Sequence, residues 1–111
     1  MIEEEEETKI EKIRMEGRGL LTNNPFIFLA VAEEGSMTKA ALRLGLSQPA
    51  ISYVIKKLEK ELRAELLVRE KGRMVLTQKG MIVKAGAQQL VDDMAMLFNS
   101  VKQKRGDNSG D

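Results

Sequence analysis

"GSMTKAALRLGLSQPAISYVIKKLEKEL" runs from Gly35 to Leu62, and its reading decides how the rest of the chain is organised. Ser36 can cap a helix over "MTKAALRL", which Gly45 would stop. Ser47 can cap the next helix. Pro49 falls in its first turn, where a missing N–H costs little. On a helical wheel, Ile51, Val54, Ile55, Leu58 and Leu62 fall within roughly 100° of arc, a single stripe suited to burial. The opposite side carries Pro49, Ser52, Tyr53, Lys56, Lys57 and Lys60, with Glu59 and Glu61 on the flanks. The exposed ridge is therefore small and polar at its start and basic further along.

Upstream, Asn24 can act as a helix cap with Pro25 at the first helical position, and "PFIFLAVAEEG" then runs to Gly35. Three helices joined by such short connections form a helix-turn-helix layout. Downstream, "ELLVREKGRMVLT", Glu65 to Thr77, contains two short β-prone runs, Leu66 to Val68 and Met74 to Leu76. The polar "REKGR" between them predicts a small hairpin with Arg69, Lys71 and Arg73 at or near its tip. Thr77 can cap a last helix reaching to about residue 104. In that helix Val83, Ala87, Leu90, Met94, Leu97 and Val101 follow a heptad seam, which Phe98 widens. So long a stripe exceeds what a domain of this size buries, and it is read as a dimerisation helix; folding back on its own domain is the alternative.

The expected fold class is mainly α: a winged helix-turn-helix, of three helices and a β-hairpin wing, followed by the long C-terminal helix. The expected divisions are an acidic, flexible extension over 1–22, the winged domain over 23–77, the linker helix over 78–105 and a disordered tail over 106–111. Within 1–22, Ile10 and Ile13 could instead form a short helix up to Gly17.

Composition narrows the function. The chain has 111 residues, enough for one ordinary domain. With neither cysteine nor histidine, it excludes disulfides, thiolate zinc sites and Cys or His nucleophile systems. No carboxylate pair sits in an apolar setting that would raise its pKa, so an enzyme is not expected, and no metal or cofactor site is seen. Asp92 and Asp93 read as solvated helix carboxylates. No apolar run approaches the roughly 18 residues of a membrane span, and no signal peptide is seen, so the cytoplasm is the expected location. The net charge of +1 hides an asymmetry: residues 1–22 carry −3, residues 23–105 carry +6 and the tail carries −2. A basic folded part suggests a polyanionic partner.

The start of the third helix suits double-stranded DNA. A helix-turn-helix sets the N-terminal end of its second helix against base edges in the major groove. Ser47, Gln48 and Ser52 offer hydrogen-bonding groups, and Gln can pair bidentately with adenine. Ala50 and Ser52 are small enough for close approach, and free N–H groups at the helix start favour a phosphate. Lys56 and Lys57 can follow the backbone, and Arg69, Lys71 and Arg73 can reach flanking DNA. Ser36, Thr38 and Lys39, where the second helix begins, complete the candidate DNA-binding set with Pro49 and Tyr53.

The segment from Phe28 to about Gly80 resembles the N-terminal DNA-binding domain of LysR-type transcriptional regulators. The match is carried by "FLAVAEEGSMTKAALRLGLSQPAISYVIKKLEKEL", then "LLVRE" and "LTQKG". The resemblance implies that Ser47, Gln48, Pro49 and Ser52 meet the groove, with Tyr53 and Lys56 beside them, and that Arg69 and Arg73 lie on the wing. It also implies a long linker helix that pairs two subunits, in agreement with the heptad seam. Arg63 stands where the family usually has Gly, and Leu67 where it has Phe. The two wing arginines are one residue further apart than usual, so either could be the one that enters the minor groove. Residues 1–22 have no counterpart, and the effector-binding domain of the family is missing, so no small-molecule effector site is evident. The leading Met and the extra N-terminal segment favour a stand-alone protein over a fragment. The molybdate-responsive repressors share the domain type without a clear SQPAIS.

The function expected is a sequence-specific, dimeric DNA-binding regulator reading a pseudo-palindrome. The alternative is a winged-helix interaction or architectural module, with the acidic N-terminus masking the basic face.

Overall fold

The computed structural model describes residues 24–109, and side chains as far as Gln103. The expectations for residues 1–22 lie outside the described residues. The elements follow in the order α1 (Asn24–Glu34), α2 (Met37–Leu44), α3 (Gln48–Leu62), β1 (Leu67–Glu70), β2 (Arg73–Leu76) and α4 (Gln78–Ser109). This is the expected winged helix-turn-helix with a long helix after it.

The helix α1 is apolar nearly all round, which suits a central helix rather than a surface one. Pro25 and Ile27 to Val31 are buried, and α1 touches α2, α3, α4 and β2. Asn24 is already inside this helix and buried, so it is not the cap expected of it. Ala40 and Ala41 are the buried residues of α2, and their small size lets its backbone lie close to its neighbours. The stripe expected on α3 is used: Ile51, Ile55 and Leu58 are buried, while Val54 and Leu62 are half-buried at its margins. With Phe28, Val31 and Leu66 they form one apolar core.

Local bonds fix the joints. Ser36 Oγ accepts the Lys39 N–H at 3.1 Å, and Ser47 Oγ accepts that of Ala50 at 3.2 Å. Arg43 on α2 reaches back to α1, with Nη1 at 2.7 Å from Glu33 Oε1 and 3.3 Å from Glu34 Oε2. The hydrogen bond to Glu33, and then its charge, raise the Arg43 pKa above the ordinary guanidinium value. This pair is exposed, so it sets the register of two helices more than it stabilises them.

The strands are longer and their loop shorter than expected. β1 and β2 are antiparallel, with Leu67 opposite Leu76 and Glu70 opposite Arg73. Only Lys71 and Gly72 remain between them, at φ +50° and +78°. Two successive positive φ angles define the tight hairpin turn whose twist matches that of the flanking strands. Arg69 and Arg73 are therefore strand residues, and Lys71 alone of the three cations sits in the turn.

The hairpin is tied to the start of α4 at Thr77. Its Oγ1 donates to the Glu65 carbonyl at 2.6 Å and accepts the Gly80 N–H at 2.9 Å, while its own N–H donates to the Leu66 carbonyl at 3.0 Å. α4 runs to Ser109, past the expected end near residue 104, so residues 106–109 are helical here rather than a disordered tail. Helix ends are the least sharply encoded part of such an element.

Candidate nucleic-acid interface

The chemistry concentrates on the outer face of α3. Ser47, Gln48, Pro49, Tyr53, Lys56 and Lys57 are all exposed, and Ser52 is half-buried beside them. Lys60 continues the row. These residues share one side because the apolar stripe turns the other side into the core. Tyr53 leaves 66% of its surface open, which is unusual for an aromatic ring without a partner to cover it.

The first turn of α3 offers fewer N–H groups than its sequence suggests. Pro49 has none, the Ala50 N–H is taken by Ser47 Oγ, and the Ile51 N–H bonds the Ser47 carbonyl at 3.1 Å. Gln48 keeps the one outward N–H. The Ser47 hydroxyl, accepting as a cap, still has its proton to donate. At α2 the Lys39 N–H goes to Ser36 Oγ and that of Ala40 to the Ser36 carbonyl, so Met37 and Thr38 point theirs out of the first turn. The exposed side chains of Thr38 and Lys39 lie at this same end.

The wing divides its cations. Successive strand residues face opposite sides, so the register puts Arg69 on the face of Leu67, Met74 and Leu76, and Arg73 on the face of Val68, Glu70 and Val75. Arg69, Lys71 and Arg73, grouped together by the sequence, do not point one way.

The seam expected on α4 also divides. Val83 packs against the core and Ala87 is only 2% exposed, so both are used within the domain. The burial of Ala87 departs from its expected place in a dimer contact, whereas half-buried Val83 keeps one side open; a heptad period cannot tell burial against the same chain from burial against a second one. From Leu90 onward the stripe is open, with Met94, Leu97, Phe98 and Val101 exposed. Lys102 Nζ stands 4.6 Å from the centre of the Phe98 ring. Asp92 and Asp93 accept side-chain amides of Gln88 and Gln89 one turn earlier, at 3.1 and 2.9 Å. Among the described residues no group of three acidic side chains could hold a metal ion, and no helix is long and apolar enough to cross a membrane.

Sequence reasoning missed Glu59 as an organiser. Its carboxylate accepts the N–H of Leu66 at 2.8 Å and of Leu67 at 3.4 Å, joining α3 to the base of the wing. The only available signal was a carboxylate on the edge of a buried stripe.

Residues 26–81 match the pattern of the bacterial regulatory helix-turn-helix protein, lysR family. The chain belongs to the LysR family. It is 36% identical over 88 residues to the HTH-type transcriptional regulator PtxR of Pseudomonas aeruginosa, covering 79% of this chain and 28% of that one. It is 44% identical over 76 residues to XapR of Escherichia coli, covering 68% and 26%. The chain thus spans about a quarter of the length of these LysR relatives, which are transcriptional regulators rather than enzymes. Among solved structures, the BenM DNA-binding domain in complex with catB site 1 DNA superposes with a TM-score of 0.70 at 33% identity, covering 73% of this chain and 90% of that one. The CbnR DNA-binding domain bound to DNA gives 0.68 at 30% identity, covering 74% and 94%.

Proposed function

We propose that this LysR-family chain is a sequence-specific DNA-binding regulator of transcription that acts in the cytoplasm as a dimer on a pseudo-palindromic operator. The observation that carries the reading is the outer face of α3, where Ser47, Gln48 and Ser52 stand at the exposed end and Lys56 and Lys57 follow on the same side. Gln48 and Ser52 read base edges, with Pro49 and Tyr53 packed against the groove and Ser47 donating its hydroxyl proton. Ser36, Thr38 and Lys39 hold a phosphate at the start of α2, and Arg69 and Lys71 carry the wing's contact with flanking DNA. The likeness to two LysR domains solved on DNA supports this placement.

The open half of α4 supports the dimer. Leu90, Met94, Leu97, Phe98 and Val101 form a contiguous apolar stripe in water, and such patches mark interaction surfaces. Pairing two copies along it would set two α3 helices about a two-fold axis, reading half-sites about one helical turn, or a multiple, apart.

Selection from a random pool of duplex DNA at physiological salt tests the proposal. Enrichment of an inverted repeat is the expected result. Retention without enrichment would instead make the chain an architectural binder, and no retention would make it an interaction module.

A further inference from the structure

Arg73 lies on the face of the wing opposite Arg69. Its side chain returns to the joint between α1 and α2 and lies on Gly35. A Cβ placed on Gly35 would stand 2.8 Å from Arg73 Nη2, 3.4 Å from Nε and 3.5 Å from Cζ. The guanidinium, the far end of an exposed side chain, lies where a Cβ on Gly35 would displace it. Gly35 has φ +64°, a conformation that a side chain would also strain. Its N–H closes α1 on the Val31 carbonyl at 2.8 Å, and its carbonyl accepts the Met74 N–H at 3.0 Å. One residue thus ends a helix, docks β2 and carries the arginine next to the docked strand residue.

We propose that Arg73 is a positioning residue and not a phosphate ligand: laid on Gly35, it fixes the angle of the wing and so places Arg69 and Lys71 for DNA. The inference rests on the DNA-binding reading above. Glu59, Thr77 and the buried Leu67 hold the base of the wing, and the bond from Met74 to Gly35 holds β2 closer to the tip. The Arg73 contact, one residue nearer the turn, adds a hold on the part of the wing furthest from that base. Arginine suits the task because its guanidinium is planar and weakly hydrated, and packs flat where an ammonium would seek water. Among the described residues Arg73 makes no ion pair that would otherwise explain its direction.

The test is a double-mutant cycle on the full chain, with binding to a mixed-sequence duplex titrated across salt and thermal melts to ensure each variant is folded. Gly35→Ala keeps every charge but evicts the guanidinium. It is expected to weaken binding about threefold, as is Arg73→Ala, and the double variant should be no weaker than either. Additive losses, or no loss in either single variant, would overturn the proposal. Should Gly35→Ala fail to fold, Arg73→Lys decides. It keeps the charge and loses the flat fork, so positioning predicts weakening equal to Arg73→Ala, and a phosphate contact predicts binding and salt slope near those of the parent protein. If the parent protein shows no salt-dependent binding to duplex DNA, it is the DNA-binding reading that fails.

Discussion

The carboxylate of Glu59 on α3 accepts the backbone N–H of Leu66, whose side chain is fully buried, at 2.8 Å. This bond fastens the wing to the helix that faces outward beside it. Replacing Glu59 by Ala leaves that N–H without an acceptor and is expected to cost about 1–3 kcal/mol. For a domain of this size the melting temperature should fall roughly 4–8 °C per kcal/mol. Glu59→Gln, which keeps an acceptor oxygen, should lose less. Circular-dichroism melts compare the two; equal losses would show that charge, and not the hydrogen bond, holds the joint.

Two glycines of α4 should respond in opposite directions. A Cβ on Gly80 would collide with the Leu66 backbone carbonyl, which cannot move without disturbing its bond to Thr77, so Gly80→Ala is expected to cost about 1–3 kcal/mol or more. Gly86 has nothing within 4 Å of that position and lies in a helix interior, so Gly86→Ala should stabilise the helix by about 0.5–1 kcal/mol. Urea denaturation of both variants reads the difference in sign.

Arg63 closes α3 at φ +53°, and its N–H bonds the carbonyls of Glu59 and Lys60. A side chain in this left-handed conformation crowds its own carbonyl. Arg63→Gly is expected to raise stability by about 0.5–1 kcal/mol, measured as a later unfolding midpoint without a change of slope. A lower midpoint would mean that the Arg63 side chain makes a compensating contact.

On DNA, the two ends of α3 should fail differently. Replacing Lys56 and Lys57 by Ala should weaken binding to all sequences and flatten the dependence of affinity on salt by about one unit for each phosphate no longer neutralised. Gln48→Ala should cost about 1–3 kcal/mol at particular base positions and leave the salt slope unchanged. An unaltered base preference in Gln48→Ala would remove that residue from the readout.

Leu97→Asp places a charge in the open stripe of α4, where Leu97 is 66% exposed in the single chain. The domain's own stability should change by less than about 0.5 kcal/mol, as for other surface substitutions. Light scattering at micromolar protein should report a monomer where the parent chain gives a dimer. Ala87→Asp should instead unfold the N-terminal end of α4 from the domain, because Ala87 is buried there.

Much of the fold was legible because its joints are chemically local. Ser36, Ser47 and Thr77 each accept an N–H three residues on, so the cap and the helix it starts are read from the same few residues. The stripe on α3 was legible for a similar reason, since a period of 3.6 encodes a face. What the sequence hid depends on distant partners. The direction of Arg73 follows from strand register, which the length of "REKGR" did not reveal until Lys71 and Gly72 proved to be the whole turn. The use of Val83 and Ala87 within the domain follows from how closely α4 approaches α1. Asn24 looked like a cap because Pro25 follows it, yet the helix already includes it. Gln48 and its neighbours were legible as exposed polar groups; what they touch is a property of a second molecule.

The anchoring of α4 at Thr77, Gly80 and Ala87 gives the helix a fixed phase. It has 32 residues, about 48 Å of rigid rise. Each residue inserted beyond Ala87 would turn everything seated on the far half by about 100° and advance it by about 1.5 Å. Seven inserted residues restore the orientation to within about 20°. Lengths of this shaft are therefore interchangeable only in steps of two turns, like teeth on a gear. Changes of one or two residues would leave each half of the molecule folded while throwing the two halves out of mesh.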